Sequence, residues 1–372
     1  MNYCDSEKSL LQDLHNINLE IIFDPTDGNQ ARSKNLVRNG IPVEIKVMLY
    51  SKEFGVQDVT NRVKWEYLNK NLGKVILYNS DSTYVYLHDS TNSGSQKIIA
   101  NLENYKSPPL EFEVSPVALV EVAGGDTFSM GNDTAGADLD EMPVHPVYIN
   151  TFLIGQFEVT NIEYKVFLDS AKELVYKSES PGREGFYSGN NLCLGTANSK
   201  IKYNNNEIYI DAPPDSNYDD LPVTGVTWIG ANLFAEYYSF KLPTEAQWEY
   251  ACKGKTNEIY PDGNIENLEN YAVFGTNTPK KVGTKRANIW KIYDIYGNVW
   301  EWCNDLYSES YYKKQPYPHV NPSGPPEGSG IERVIRGGSY RSEAYECRST
   351  NRDYRIQHNT YNNLGFRIVL TY

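Results

Sequence analysis

Gly297-Asn298-Val299-Trp300-Glu301-Trp302, then Arg336-Gly337-Gly338-Ser339-Tyr340, then Asn363-Leu364-Gly365-Phe366-Arg367 decide how the second half of this sequence is read. Gly, Trp and Asn crowd these stretches and long periodic runs are few, so regular secondary structure is sparse around them. Two helices stand out. One opens at Thr160-Asn161-Ile162-Glu163, a cap with Glu three residues on, and carries Tyr164, Phe167 and Leu168 on one face. The other opens at Thr244 in Pro243-Thr244-Glu245-Ala246-Gln247-Trp248, a Thr cap with Gln at the third helical position. The polar, Gly/Asn/Ser-rich stretch 172–220 between them reads as a long surface excursion.

Working outward towards the N-terminus, Ser107-Pro108-Pro109 and Ser115-Pro116 mark a boundary, because proline stops helices and cannot donate within a central strand. The predicted organisation is an N-terminal tail 1–15, a β-domain 16–115 and a second domain 117–372. The segments 19–23, 43–49, 63–67, 75–78, 84–87, 97–100 and 110–114 are rich in β-branched and aromatic residues, and several alternate apolar with polar. About seven short strands in about 100 residues, with no helical period between them, predict an immunoglobulin-like β-sandwich. No polar constellation accompanies them, which suits a spacer or presentation module.

At 372 residues the chain exceeds one domain of roughly 100–200 residues. Its 35 Lys plus Arg against 48 Asp plus Glu give a formal charge of -13, which works against a groove that tracks phosphates; no nucleic acid is expected. No run of about 18 apolar residues occurs, and Met1 to Glu20 lack an apolar signal core. The 30 Tyr against 12 Phe favour surfaces that bind, because tyrosine joins a large contact area to a polar tip. The five cysteines include no CxxC pair and no zinc spacing, and fit one disulfide plus free thiols or none. Cys4-Asp5-Ser6-Glu7-Lys8-Ser9 resembles the mature end of a bacterial lipoprotein; an ordinary exposed thiol near a frayed terminus is the alternative.

The motifs quoted first, preceded in order by Gly124-Gly125-Asp126-Thr127-Phe128-Ser129-Met130-Gly131, Phe157 to Tyr164, Leu221 to Trp228 and Leu242 to Tyr250, resemble the formylglycine-generating enzyme (sulfatase-modifying factor) family. The resemblance spans essentially 117–372 and implies an α+β, C-type-lectin-like domain after the sandwich. That family's oxidase chemistry uses a cysteine pair on copper, thiolates being natural Cu(I) ligands. Ser342 falls where the first of the pair would stand, and only Cys347 remains nearby; the match makes it a structural cysteine whose disulfide partner would be Cys252. No copper and no enzyme activity are therefore expected. A sulfoxide-forming branch takes iron ligands from clustered histidines, and His15, His88, His145, His319 and His358 show no such clustering in the sequence. The resemblance also implies one structural calcium ion, held by the side chains of Asp294 and Glu301 and the carbonyls of Gly297 and Val299, an oxygen-only set suited to a hard cation. The alternative is that both carboxylates bond loop amides. A second family calcium site is degraded at Val273.

The loops after Ser339 carry Tyr340, Arg341, Ser342, Glu343, Tyr345, Asp353, Tyr354, His358 and Tyr361, the mixture of rigid aromatics and adaptable polar groups found on binding surfaces. They resemble the variable proteins of diversity-generating retroelements, which use this fold and vary residues between the same two closing motifs. The alternative is codon bias and a solvated loop. The function expected is non-enzymatic binding of a protein or cell-surface ligand. Tyr340, Arg341, Tyr345, Tyr354, His358 and Tyr361 are expected on one exposed surface above a buried Trp300 and Trp302. A metal-dependent oxidase and a structural lipoprotein of a secretion or gliding apparatus are the alternatives. The expected location is the bacterial cell surface, with a membrane reached only through a lipid on Cys4, or else a phage particle.

Overall fold

Residues 18–24, 36–39, 43–51, 55–67, 74–78, 83–87, 94–102, 105–178, 184–204, 207–214, 216, 218–314 and 317–371 are described by a computed structural model. The chain divides into two compact units, Met1–Leu119 and Val120–Tyr372. The tail 1–15, with Cys4, lies outside the described residues. No helix among the described residues is long and apolar enough to cross a membrane.

In the first unit each segment expected as a strand is one. The strands are β1 (Asn18–Asp24), β2 (Leu36–Asn39), β3 (Val43–Ser51), β4 (Gly55–Asp58), β5 (Lys64–Tyr67), β6 (Lys74–Tyr78), β7 (Thr83–Leu87), β8 (Gly94–Leu102), β9 (Tyr105–Lys106) and β10 (Leu110–Val122). One sheet runs β1-β3-β7-β6 with β4 on β3. In the other, β8 lies between β5 and β10, all antiparallel, and β2 joins β10 in parallel. Val47 of β3 packs with Ala100 and Leu102 of β8, beside Val59 and the partly buried Val63 and Trp65, so the inner faces of the two sheets meet in one small core. Two hydroxyls satisfy backbone amides inside it: Val47 N donates to Thr60 Oγ1 (2.8 Å) and Ala100 N to Ser107 Oγ (2.9 Å).

The second unit begins with β11 (Asp126–Met130), β12 (His145–Ile149), β13 (Phe152–Gly155) and helix α1 (Asn161–Ser170). The capping box at Thr160 forms as expected: Thr160 N donates to the Glu163 carboxylate (2.7 Å) and Glu163 N to Thr160 Oγ1 (3.4 Å). The stretch 172–220 carries two small sheets, β14 (Tyr176–Ser178) with β15 (Gly185–Ser188) and β16 (Asn191–Gly195), and the hairpin β17 (Ile201–Asn204)–β18 (Glu207–Ile210). Helix α2 (Trp228–Tyr237) was not anticipated. It contains a glycine, a poor helix former, because a Cβ at Gly230 would stand 2.1 Å from the Cys193 carbonyl oxygen of β16. Helix α3 (Glu245–Lys253) starts at the expected Thr244 cap.

The remaining strands are β19 (Trp300–Leu306), β20 (His319–Val320), β21 (Glu332–Arg336), β22 (Asp353–Ile356), β23 (Leu364–Gly365) and β24 (Val369–Thr371). They give the sheet β22-β21-β19-β23, while β24 pairs with β13 and closes the unit end to end. Trp248, Ile292, Cys303, Val334 and Cys347 share one buried core.

Buried charge runs through that core. Both carboxylate oxygens of Glu301 accept from Arg367 (2.6 and 2.7 Å), and one of them also from Trp248 Nε1 (2.8 Å). Arg336 donates to Glu249 (2.5 Å), which Lys253 also meets (2.8 Å), and Arg352 donates twice to Glu245 (2.7 and 2.9 Å). Asp305 accepts from the first amide of α3, Glu245 N (3.1 Å), and burial together with the charge of Glu245 pushes its carboxyl up to about 8. A folded-state pKa above the unfolded one means that Asp305 supports folding most strongly when protonated. Its contribution is complete below about pH 4 and is lost as pH rises through about 8. Asp305→Asn keeps an acceptor oxygen and removes that dependence. The Tm of the variant should therefore gain on that of the wild type as pH is raised from about 5 to about 8, followed by calorimetry; a constant difference would contradict it.

Candidate binding face

The chain leaves β21 at Arg336 through two glycines with positive φ, Gly337 (+98°) and Gly338 (+77°). Side chains are excluded there on space as well, since a Cβ at Gly338 would lie 2.7 Å from Cys347 Sγ. The turn delivers Ser339 into a buried ring of neutral polar groups. Ser339 N donates to Ser342 Oγ (3.1 Å), the two hydroxyls are 3.5 Å apart, and Ser339 Oγ accepts from Asn363 Nδ2 (3.2 Å) and Arg341 N (3.3 Å). Asn363 is tied in turn to β19, its carbonyl accepting from Trp300 N (2.9 Å). Such a ring offers hydroxyls and a carboxamide, and no anionic side chain.

The residues expected on a ligand face divide. Tyr340 and Ser342 are corrected to buried positions, each 3% exposed. Tyr340 packs on Val273 and Val299, donates its amide to Asn298 O (2.7 Å) and its hydroxyl to Asn362 O (3.3 Å), so it belongs to the base of the loops. Arg341, Glu343, Tyr345, Tyr354 and His358 are exposed; Asp353 and Tyr361 are half-buried. Trp300 and Trp302 are buried as expected, with Trp302 Nε1 donating to Val226 O (3.1 Å).

Tyr345 and Tyr354 are each joined, through one intermediate side chain, to the same short turn, Leu139–Glu141. On one side Arg348 lies 6.0 Å from the Tyr345 ring and donates to Asp138 (3.1 Å) and to Glu141. On the other, Tyr354 stacks on Tyr307 at 4.3 Å, Tyr307 donates to Asp140 (2.8 Å), and Arg352 donates to Asp140 O (2.8 Å). Leu139 on that turn is 71% exposed, Tyr345 56% and Tyr354 40%. The patch is thus a small aromatic and aliphatic shelf fixed by buried guanidinium groups. Leu139 escaped the sequence reading, although Asp138 and Glu141 form a capping box with the spacing of the two that were recognised. Gln357, next to His358, and Tyr361 bond elsewhere, at the start of α2 and just before it: Trp228 N donates to Gln357 O (3.1 Å) and Gly225 N to Tyr361 O (2.9 Å).

The residues implied for calcium are also placed. Glu301 has both oxygens on Arg367 and Trp248, so the positive charge opposite it is a guanidinium. Asp294 accepts from Gly283 N (2.6 Å) through Oδ2, its Oδ1 is buried with no partner among the described residues, and burial pushes its carboxyl up to about 6. Gly297 turns with φ +75° because a Cβ there would meet Val273 O at 2.4 Å, and Val299 N donates to Glu158 (3.0 Å). Among the described residues no group of three or more His, Cys, Asp and Glu could hold a metal ion. As it stands the set does not fit a calcium ion at Glu301, which would compete with Arg367 for both oxygens.

The expected Cys252–Cys347 disulfide is corrected as well: Cys193, Cys252, Cys303 and Cys347 are all free, buried thiols. Burial pushes Cys347 up to about 12 and raises Cys252 further above the usual thiol range, so both are neutral near pH 7, when a thiolate would be needed for metal binding or attack.

Residues 108–372 match the family model described as "Sulfatase-modifying factor enzyme 1-like domain". The chain is 31% identical over 276 residues to the formylglycine-generating enzyme of Streptomyces coelicolor (66% of this chain, 85% of that protein). It is 29% identical over 290 residues to that of Bos taurus (68% and 74%). It is 30% identical over 275 residues to "Serine/threonine-protein kinase pkn1" of Chlamydia pneumoniae, where the match covers 73% of this chain but 40% of that protein. The chain thus spans well under half the length of the pkn1 proteins that it matches. Among solved structures it resembles Treponema denticola variable protein 1 (TM-score 0.50, 22% identity, 71% of this chain and 95% of that one). It also resembles PvdO from Pseudomonas aeruginosa (TM-score 0.51, 22% identity, 68% and 93%). At these identities the structural likeness speaks to the fold. Alkylation in denaturant without reduction should recover Cys252 and Cys347 as separate, singly modified peptides; a disulfide-linked pair would contradict the thiol assignment.

Proposed function

Because the chain belongs to the sulfatase-modifying factor enzyme 1-like family, with that family's C-type-lectin-like fold in its second unit, we propose that it is a non-enzymatic binding protein whose ligand face centres on Tyr345, Leu139 and Tyr354. The observation that carries the proposal is the shelf itself: exposed Leu139 on a short turn, with Arg348 on the Asp138 and Glu141 carboxylates and Arg352 on the Asp140 carbonyl, and exposed Tyr345 and Tyr354 joined to it through Arg348 and Tyr307. Rigid aromatics on a fixed base dock at low entropic cost and tend to dominate binding energy. The ring of Ser339, Ser342 and Asn363 supports the non-catalytic part, since Ser342 stands where the family resemblance implies a metal-binding cysteine and its hydroxyl is already bonded to Ser339.

The first unit fits an immunoglobulin-like spacer. Its order β1-β3-β7-β6 beside β5-β8-β10 is the ABED and CFG arrangement of that sandwich, with Trp65 on the third of those strands turned to the core. A protein or cell-surface ligand, met outside the cytoplasm or on a phage particle, suits a face of this kind, and its loops are where a diversity-generating retroelement would vary residues. The partner can be sought by applying labelled full-length chain to candidate cell surfaces. Wild type should bind saturably, and the Tyr345→Ala/Tyr354→Ala variant should bind on the order of 100-fold more weakly, with Tm nearly unchanged because both side chains are exposed. Equal binding by the two proteins would remove the shelf from the function.

A further inference from the structure

Five histidines that look scattered in the sequence include two that the fold brings together. His145 begins β12 and His319 begins β20, and these strands pair in parallel, with Val147 opposite His319. Their imidazole rings lie 5.3 Å apart at 61°. One nitrogen of each ring is committed to a backbone carbonyl: His145 Nδ1 to Pro143 O (3.0 Å) and His319 Nε2 to Lys314 O (3.0 Å). A carbonyl can only accept, so those nitrogens carry the ring protons, and His145 Nε2 and His319 Nδ1 present lone pairs. This is how metal-binding histidines are held, the second nitrogen donating to a backbone carbonyl and fixing both tautomer and ring plane.

Two polar atoms in the same cluster are left over. His319 Nδ1 and the Tyr312 hydroxyl are buried without a hydrogen-bond partner among the described residues, and the Tyr312 ring is 4.6 Å from His145. Tyr317 (5.3 Å from His145 and 4.9 Å from His319) and Tyr311 (5.9 Å from His319) complete the surround. Buried acceptors normally find a donor, and an orphan calls for an unseen partner. The His145 ring is 2% exposed, whereas His319 and Tyr317 are only half-buried, which leaves a way in. We propose that His145 Nε2 and His319 Nδ1, in the ring cluster that includes Tyr312, bind a transition-metal cation of the zinc class. Nitrogen-led donors select against calcium and magnesium and suit zinc, nickel, cobalt or copper. This site shares no residue with the ring at Ser339 or with the Glu301–Arg367 pair.

The test uses the full-length chain after treatment with a chelator. Zinc(II) alone is titrated against a chromophoric competitor, and cobalt(II) is added in parallel for its visible absorption. Wild type should take up one zinc per chain, gain Tm with it, and develop a cobalt band. His319→Ala, at a half-buried position, should still fold and lose zinc affinity by about 100-fold together with the band, which is the scale seen when metal-site partners are removed. His358→Ala should behave as wild type. No uptake by wild type, equal uptake by His319→Ala, or loss of uptake in His358→Ala would each overturn the proposal.

Discussion

A fork of two hydrogen bonds from Arg367 to Glu301 holds the second unit together. Taking both ions out of water is costly, and the cost is recovered only when their remaining donors and acceptors are filled. Here they are. Trp248 completes Glu301, and Arg367 also reaches Gly155 O (2.9 Å) and Tyr293 O (3.0 Å). One guanidinium therefore links the chain's last strands to β13, to the loop before β19, to β19 itself and to α3. Glu158 stands nearby, and burial with the charges of Asp294 and Glu301 drives its carboxyl well above the usual range. Glu158 accepts from Asn298 and Val299, while Arg367 answers Glu301.

Function follows from what is built on that frame. Arg336 is gripped by Glu249 and Glu245, so the double-glycine turn after it starts from a fixed point. The turn buries Ser339, Tyr340 and Ser342, while Arg341, Glu343 and Tyr345 are exposed. The exposed shelf inherits its rigidity from the same network, because Arg352, which borders Tyr307, is paired with Glu245. Binding residues on such a base need little ordering on contact. Below the shelf stand the neighbouring hydroxyls of Ser339 and Ser342 and the Cys347 thiol, which burial raises above its usual range.

The capped helices, seven of the ten strands described for the first unit and the buried Trp300 and Trp302 were legible because local patterns and motif order determine them. Positions set by distant neighbours were not. Tyr340 looks like a ligand contact in sequence, yet Val273 and Val299 cover it. Gly230 disguises α2 until the Cys193 carbonyl is seen against it. Cys252 and Cys347 align with a disulfide pair but are free thiols, and Glu301 reads as a calcium ligand until Arg367 arrives from the end of the chain. His145 and His319 become neighbours only through the parallel pairing of β12 and β20.

The claim that most needs testing is that this member of an enzyme family binds without catalysing. Purified full-length protein, supplied with copper, dioxygen and a reductant, would be incubated with a sulfatase-type cysteine peptide and the peptide weighed by mass spectrometry. The peptide should be recovered with its cysteine unconverted. Formylglycine accumulating above a protein-free control would contradict the account.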